Sequence, residues 1–267
     1  MSDNYLITGY WGEPHVTAEN DRGINAAMFG TGRFVLPVGE QFRAVYIGNN
    51  TIRMYDGKLM DNGAAAGIPV GEYVDLLIAN AGQGKKRNDL IVFQYSQDAS
   101  TLIESGKFVV IQGEETSGAA TDPELTQEDL LSGTATLDQM ALWRVSVSGA
   151  TIAAPTRVAE VEWANPPMIM GVEYRTTERY NGKPVYTKLF NTGELANGGT
   201  FTYANDPVDV CRYAASIDSS ALPIYALGSW NAGWSLRCDV NGQKVTVFMG
   251  DSRTTAAIDV QVWYTKY

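Results

Sequence analysis

Few residues of this chain are equipped for nucleophile, proton-transfer or metal chemistry. One histidine, His15, and two cysteines, Cys211 and Cys238, serve 267 residues. A His-based triad or a His/Cys metal cage is hard to assemble from that stock. No catalytic residue, metal site or cofactor is therefore expected. His15, in Gly12-Glu13-Pro14-His15, reads as a packed or surface residue. Carboxylates remain, because glycoside hydrolysis needs only two of them. The visible pairs, Glu114-Glu115 and Glu128-Asp129, are neighbours in sequence and read as solvated charge. Gly82-Gln83-Gly84-Lys85-Lys86-Arg87 has the composition of a phosphate loop without its G-x-x-x-x-G-K-[ST] spacing, and a strand follows where that motif needs a helix. It reads as a hairpin turn. Asp56-Gly57 and Asp61-Asn62-Gly63 lack the remaining ligand positions of a Ca²⁺ loop.

Binding chemistry is better represented. Residues 225–234 (YALGSWNAGW) place Tyr225, Trp230, Asn231 and Trp234 in one short loop-like stretch. Indole and phenol rings suit the apolar faces of sugars, and an asparagine amide supplies paired donor and acceptor groups. The same tryptophans would equally fill a core or a subunit contact. Arg212 and Tyr213 are weaker candidates of the same kind.

The elements that must position these residues read as strands. Gly is frequent and turn signals recur at short spacing, which predicts an all-β, mainly antiparallel chain. Residues 42–47 and 51–55 read as strands around a Gly48-Asn49-Asn50 turn. Asp56-Gly57 then reads as a tight hairpin, with Tyr55 facing Lys58 and Met54 facing Leu59. Residues 90–95 (LIVFQY) read as a buried strand paired with residues 106–112, and residues 142–147 as a strand before a Ser148-Gly149 turn. One segment carries helix punctuation: Thr121-Asp122-Pro123 before residues 124–131 and Gly133. Residues 235–240 and 243–249 flank Asn241-Gly242, a strong hairpin signal. That register sets Asp239 opposite Lys244 and Arg237 opposite Thr246. In the last strand Ile258, Val260, Val262 and Tyr264 share one side.

Length and charge suggest two units. Residues 1–160 carry 20 Asp/Glu against 11 Lys/Arg, whereas the remainder carries 10 against 9. A net charge of -10 argues against an electrostatic nucleic-acid binder. No apolar run approaches the length of a membrane span. The N-terminal sequence lacks the basic start and apolar run of a signal peptide, so synthesis in a cytoplasm is expected. Both cysteines then read as small reduced hydrophobes in strands, not as a disulfide.

The expected division is a first domain over 1–163, a linker over 164–171 and a second domain over 172–267. Asn165-Pro166-Pro167 should be stiff and extended. Met168-Ile169-Met170 follows directly. Docking against its own domain and packing along an oligomer axis both account for so apolar a tripeptide beside a diproline.

The first 160 residues resemble the N-terminal region of tail and baseplate proteins from siphophages and prophages of Gram-positive gut bacteria. The resemblance rests on Gly57-Lys58-Leu59-Met60 with Asn62-Gly63, then Arg87-Asn88-Asp89-Leu90-Ile91-Val92, Thr121-Asp122-Pro123 and Leu142-Trp143-Arg144-Val145, in that order. The last hundred residues are similar to the head domain of such tail fibres, opening at Gly182-Lys183-Pro184-Val185-Tyr186 and closing at Val262-Trp263-Tyr264-Thr265-Lys266. The fibrous middle of a long tail fibre is missing. The resemblance implies two β-sandwich or jelly-roll-like domains, one short helix in the first, and a homotrimeric virion component. The first domain would attach to tail or baseplate proteins, and the second would bind host wall or surface polysaccharide. Met168, Ile169 and Met170 would then lie at the oligomer interface. A structural adaptor without glycan binding and a polysaccharide depolymerase are the alternatives.

Overall fold

The structure is a computed structural model that describes residues 17–195, 200–204, 208–217, 236–241, 244–249 and 256–266. It is mostly antiparallel β-sheet. The chain divides into two compact units between Glu162 and Trp163.

The first unit opens with helix α1 (Ala18–Phe29), the one helix among the described residues. Thr17 caps it by accepting from the Asn20 amide at 3.2 Å. Glu19 and Asp21 sit in the first turn, where acidic groups complement the helix dipole. Gly30 closes it at φ 86°, its amide donating to Ala26 O at 2.8 Å. Strands β1 (Arg33–Val35), β2 (Ala44–Gly48), β3 (Thr51–Asp61) and β4 (Ala64–Leu77) make the first sheet, in which β3 pairs with all three others. Strands β5 (Lys86–Gln97), β6 (Glu104–Ile111), β7 (Leu137–Ser148), β8 (Thr151–Ile152) and β9 (Thr156–Arg157) make the second. Its order is β6-β5-β7-β8, with β9 also on β7. Ile52, Met54 and Leu59 of one sheet and Ile91, Leu142 and Val145 of the other belong to a single buried core. The unit is thus β-sandwich-like. Each such side chain contributes roughly 1.5–3 kcal/mol on burial.

Two expected features are corrected here. Asp56-Gly57 is not a hairpin. Strand β3 runs through it, with Tyr55 opposite Tyr73 and Gly57 opposite Ile68. The Asp56 carboxylate accepts from the amides of Glu40 (2.7 Å) and Gly71 (2.9 Å), which holds its pKa below the usual carboxylate value. Gly57 is needed for close approach, because a Cβ there would lie 2.6 Å from the Phe42 amide nitrogen. The reversal comes at Asn62-Gly63, whose φ values of 46° and 82° suit a type I′ turn.

Residues 124–131 are not helical. They form an extended strap along β7, whose side chains take the amide groups that a helix would pair internally. The Thr126 amide donates to Gln139 Oε1 at 3.1 Å, and the Gln139 amide returns to Thr126 O at 2.9 Å. The Glu128 amide donates to Asp138 Oδ1 at 2.7 Å. Leu130 is buried in the core.

Other pairings match the pattern. Leu90 lies opposite Ile111 and Tyr95 opposite Gly106. Ser148 and Thr151 close the turn at Gly149.

The second unit contains β10 (Glu173–Tyr180), β11 (Lys183–Leu195), β12 (Thr200–Ala204), β13 (Val208–Ile217), β14 (Leu236–Asn241), β15 (Lys244–Met249) and β16 (Ala256–Lys266). One sheet has the order β10-β11-β16-β13 and the other β12-β15-β14. The final strand is central in its sheet, and Val260, Val262 and Tyr264 are buried as its alternation requires. The β14–β15 hairpin is present, but its register is shifted. Asn241 pairs with Lys244, Asp239 with Thr246 and Arg237 with Phe248. A shift of two preserves the alternation of faces, so hydrophobic pattern alone does not discriminate between the two registers.

Residues 164–171 are drawn onto the second unit. The Gly171 amide donates to Leu189 O at 2.8 Å, and Gln261 Nε2 approaches Met168 Sδ at 3.5 Å. Met168 is half-buried, while Ile169 and Met170 are 57% and 46% exposed.

Candidate functional site

Tyr225, Trp230, Asn231 and Trp234 lie outside the described residues, as does His15. Arg212 and Tyr213 fall on β13, opposite Trp263 and Val262 of β16. Cys211 and Cys238 fall on β13 and β14.

The glycine-rich segment is a turn, with the Lys85 amide donating to Gly82 O at 2.9 Å. Its Gly82 amide faces the Glu115 carboxylate at 3.1 and 3.2 Å, so an acidic side chain of the same chain takes the donor a phosphate would use. Glu128 accepts from the Thr136 amide at 2.7 Å, and Asp129 from the Leu131 amide at 2.9 Å. These carboxylates hold loops in place.

The motif residues of the first unit converge on one network. Arg87 is fully buried. Its Nε donates to Asp89 Oδ1 at 2.8 Å and its Nη1 to Asn80 O at 3.0 Å and Glu115 Oε1 at 3.1 Å. Nη2 reaches Ala79 O and, at 3.1 Å, Asp89 Oδ2. Asp89 also accepts from the Gly113 amide at 3.0 Å. Asn88 donates to Asp122 at 3.0 Å, and Asp122 pairs with Arg144. Arg87-Asn88-Asp89, Asp122 and Arg144 therefore tie the β4–β5 and β6–β7 connections to β5 and β7.

A second buried ionic cluster has no counterpart in the sequence reading. Asp61 at the end of β3 and Asp138 near the start of β7 are both 0% exposed. Arg33 of β1 stands 2.9 Å from an oxygen of each. Burial, and then the neighbouring Asp138, push the Asp61 carboxyl up to about 7 against the opposing pull of Arg33. Oδ2 of Asp61 and Oδ2 of Asp138 find no donor, and the Arg33 Nε beside Asp61 Oδ1 is not aligned for a hydrogen bond. Arg33 Nη2 also donates to Glu128 O at 3.1 Å, which ties the strap to the cluster. Glycosidase carboxylates stand about 5–9.5 Å apart with substrate between them. This pair is fully buried on one guanidinium, with no open space for a substrate.

The second unit has an aromatic-lined hollow of about 210 Å³, bounded by Glu178, Arg179, Tyr180, Val185, Trp263, Tyr264 and Thr265. Strand β10 supplies Tyr180 and the charged rim, β11 supplies Val185, and β16 supplies the other rings. Tyr180 is 48% exposed. Behind the wall, Tyr264 stacks with Tyr186 at 6.0 Å and donates to Glu173 Oε2. Glu173 also pairs with Lys266 at 2.6 Å. These contacts fix the Tyr264 ring. The Thr265 hydroxyl, at the hollow, has no hydrogen-bond partner among the described residues. A stronger sequence signal was available here than the lone aromatic loop: Trp263 and Tyr264 adjoin on a strand whose alternate residues are buried.

The first unit has a more polar cleft of about 430 Å³, with Arg22, Tyr95, Phe93, Phe108 and Glu104 around an alanine-rich floor. Its charges are already engaged: Arg22 pairs with Glu104, and Tyr95 donates to Glu104 at 2.9 Å. Elsewhere, the outer face of the β2–β3–β4 sheet exposes Val45, Tyr73 and Leu77. Arg53 lies 3.7 Å over the Tyr73 ring and forms a fork with Asp75 at 2.9 Å on each arm.

Among the described residues no group of three or more His, Cys, Asp or Glu is placed to hold a metal ion, and no helix is long and apolar enough to cross a membrane. No family model matches the chain, and no curated protein matches it in sequence.

Proposed function

We propose that the chain is an attachment protein of a phage tail or baseplate, whose first unit docks on the virion and whose second unit binds saccharide on the host surface. The observation that carries the saccharide half is the hollow of Tyr180, Trp263 and Tyr264 with charged residues at its rim. Aromatic faces pack against the apolar face of a pyranose, and rim groups meet its hydroxyls. Such contacts contribute roughly 0.5–1.5 kcal/mol each, by analogy with aromatic pairs. One site is therefore weak. A homotrimer would raise avidity by about 10²–10⁴, and the exposed Ile169 and Met170 offer apolar surface for it. The nearly neutral second half suits an uncharged polysaccharide. The virion role, made in the host cytoplasm and carried on the tail, rests on the ordered motif resemblance. The outer face around Val45, Arg53 and Tyr73 supports docking by the first unit, since aromatic residues and arginine are enriched at interfaces.

The test is binding to whole host cells and to purified wall polysaccharide. Tyr180→Ala should lower cell binding at least several-fold while leaving the circular-dichroism spectrum unchanged. Unaltered binding would remove the hollow from the proposal. A Trp230→Ala, Trp234→Ala double variant then asks whether residues 225–234 hold the sugar instead. If both variants bind cells as the wild type does, the adaptor reading takes over. Light scattering at micromolar concentration checks the trimer, and a monomer there overturns it.

A further inference from the structure

We propose that Asp61 and Asp138 form a buried proton-binding site, and that the proton they share latches the 124–131 strap onto the first sandwich. Two carboxylates with no exposure are gathered on one guanidinium, Asp61 Oδ1 2.9 Å from its Nε and Asp138 Oδ1 2.9 Å from its Nη2. Arg33 offsets one negative charge and leaves the other uncompensated in a medium that strongly disfavours it. Asp61 Oδ2 and Asp138 Oδ2 have no donor, and Arg33 Nε, though 2.9 Å from Asp61 Oδ1, is not aligned to hydrogen-bond with it. Acceptor abutting acceptor is repulsive unless a proton lies between them. A bound proton makes one group a donor to the other and leaves a single charge for Arg33. A divalent cation would meet the same surplus of oxygen, but Arg33 already stands 2.9 Å from both groups. A proton is the occupant that fits.

The site is coupled to the strap by two bonds at one residue. The Glu128 amide donates to Asp138 Oδ1 at 2.7 Å, and Glu128 O accepts from Arg33 Nη2 at 3.1 Å. With its amide nitrogen facing Thr31 O, Asn62 accepts from the same Nη2 at 3.0 Å. Arg33 of β1 stands on both aspartates, Glu128 and Asp129 of the strap lie beside Arg33, and Arg22 of α1, paired with Glu104 of β6, reaches the strap at Leu130. The Glu128 carboxylate faces away, towards the Thr136 and Leu137 amides. Arg22 Nη1 donates to Leu130 O at 3.3 Å, which pins the far end of the strap independently of the dyad. Loss of the proton puts a second charge against Asp138 and sets Arg33 between two anions. The anchor at Glu128 is the part that loosens.

Raising pH through neutrality therefore releases the strap at Glu128 before the unit unfolds. The experiment is amide hydrogen exchange on the full-length chain between pH 5 and 9, corrected for intrinsic rates, with carbon NMR of the aspartate carboxyls. Protection at Thr126 and Glu128 should fall by up to tenfold per pH unit across the Asp61 titration, the limit for one proton. Protection in the buried β5 strand should hold. Asp61→Asn, which keeps an amide donor facing Asp138, should remove the dependence. An Asp61 carboxyl that titrates with ordinary surface aspartates would overturn the proposal. So would an Asp61→Asn variant whose strap protection falls with pH as the wild type's does. If that variant fails to fold, the carboxyl titration of the wild type decides alone.

Discussion

The clusters around Arg87 and around Arg33 use the same side chains in the same unit and differ in their ratio of donors to acceptors. Arg87 is buried against one buried carboxylate, Asp89, and spends its remaining donors on Ala79 O, Asn80 O and the exposed Glu115. Asp89 takes a further donor from the Gly113 amide. Around Arg33 the ratio is reversed. Two buried carboxylates compete for one guanidinium, and an oxygen of each is left without a donor. The first arrangement is a balanced clamp on loops. The second is balanced only when it holds a proton. Buried ionic groups can therefore anchor a fold or make it conditional on pH, and the count of donors decides which.

The largest effect that would sharpen this contrast comes from the balanced cluster. Arg87→Ala strands the Asp89 carboxylate and two loop carbonyls in the interior. Breaking a buried pair costs about 3–5 kcal/mol, read as the shift of the denaturant midpoint of the first unit. That loss should be independent of pH between 6 and 9. A cost below about 1 kcal/mol would mean that the clamp is looser than its distances imply.

Next comes Asp61→Asn, with the opposite sign. The Asp61 pKa is raised in the folded state, to about 7. Between the unfolded value and that one, the native state holds a proton the unfolded chain has lost. This group's contribution to stability is therefore greatest in acid and falls as pH rises from about 4 to about 7. Asp61→Asn should be near neutral at pH 5 and stabilising by about 1–3 kcal/mol at pH 8. Equal effects at both pH values would break the comparison.

The smallest effect belongs to Arg144 and Asp122, which pair at the surface end of the Arg87 network. Both are partly exposed, so solvent screens them more than it does the Arg87 pair. Arg144→Ala should cost about 1 kcal/mol or less, and 0.5 M salt should remove part of that difference. A cost near that of Arg87→Ala would show that the network acts as one unit.

How much of this was legible depended on the range of each interaction. A continuous apolar run at residues 90–95 and alternation along 258–264 identified strands, because a strand buried on both faces is apolar throughout and a half-buried one imposes a period of two on its own sequence. Neighbouring strands joined by short turns could be paired for the same reason. The helix at Ala18–Phe29 escaped because it buries little: Arg22 is its one buried residue. Its signals were the Thr17 cap, the acidic first turn and Gly30. The choice between Asp56-Gly57 and Asn62-Gly63 was open locally, since both dipeptides suit a tight turn. It was decided by distant partners: Glu40 and Gly71 amides for Asp56, and the backbone of Phe42 for Gly57.

Sequence by itself determined the class of this protein: β-rich, poor in histidine and cysteine, acidic in its first half and nearly neutral in its second. Those are properties of composition and of short-range periodicity, and no folding is needed to read them. Tertiary structure alone decided the rest. Residues 124–131 have the punctuation of a helix, yet Asp138 and Gln139 capture its amides into an extended strap. Asp61 and Asp138 stand far apart in the chain, and no spacing rule links them. Their contact, and the proton it calls for, follow from two sheets closing over one core, where burial turns an ordinary pair of carboxylates into a titrating site.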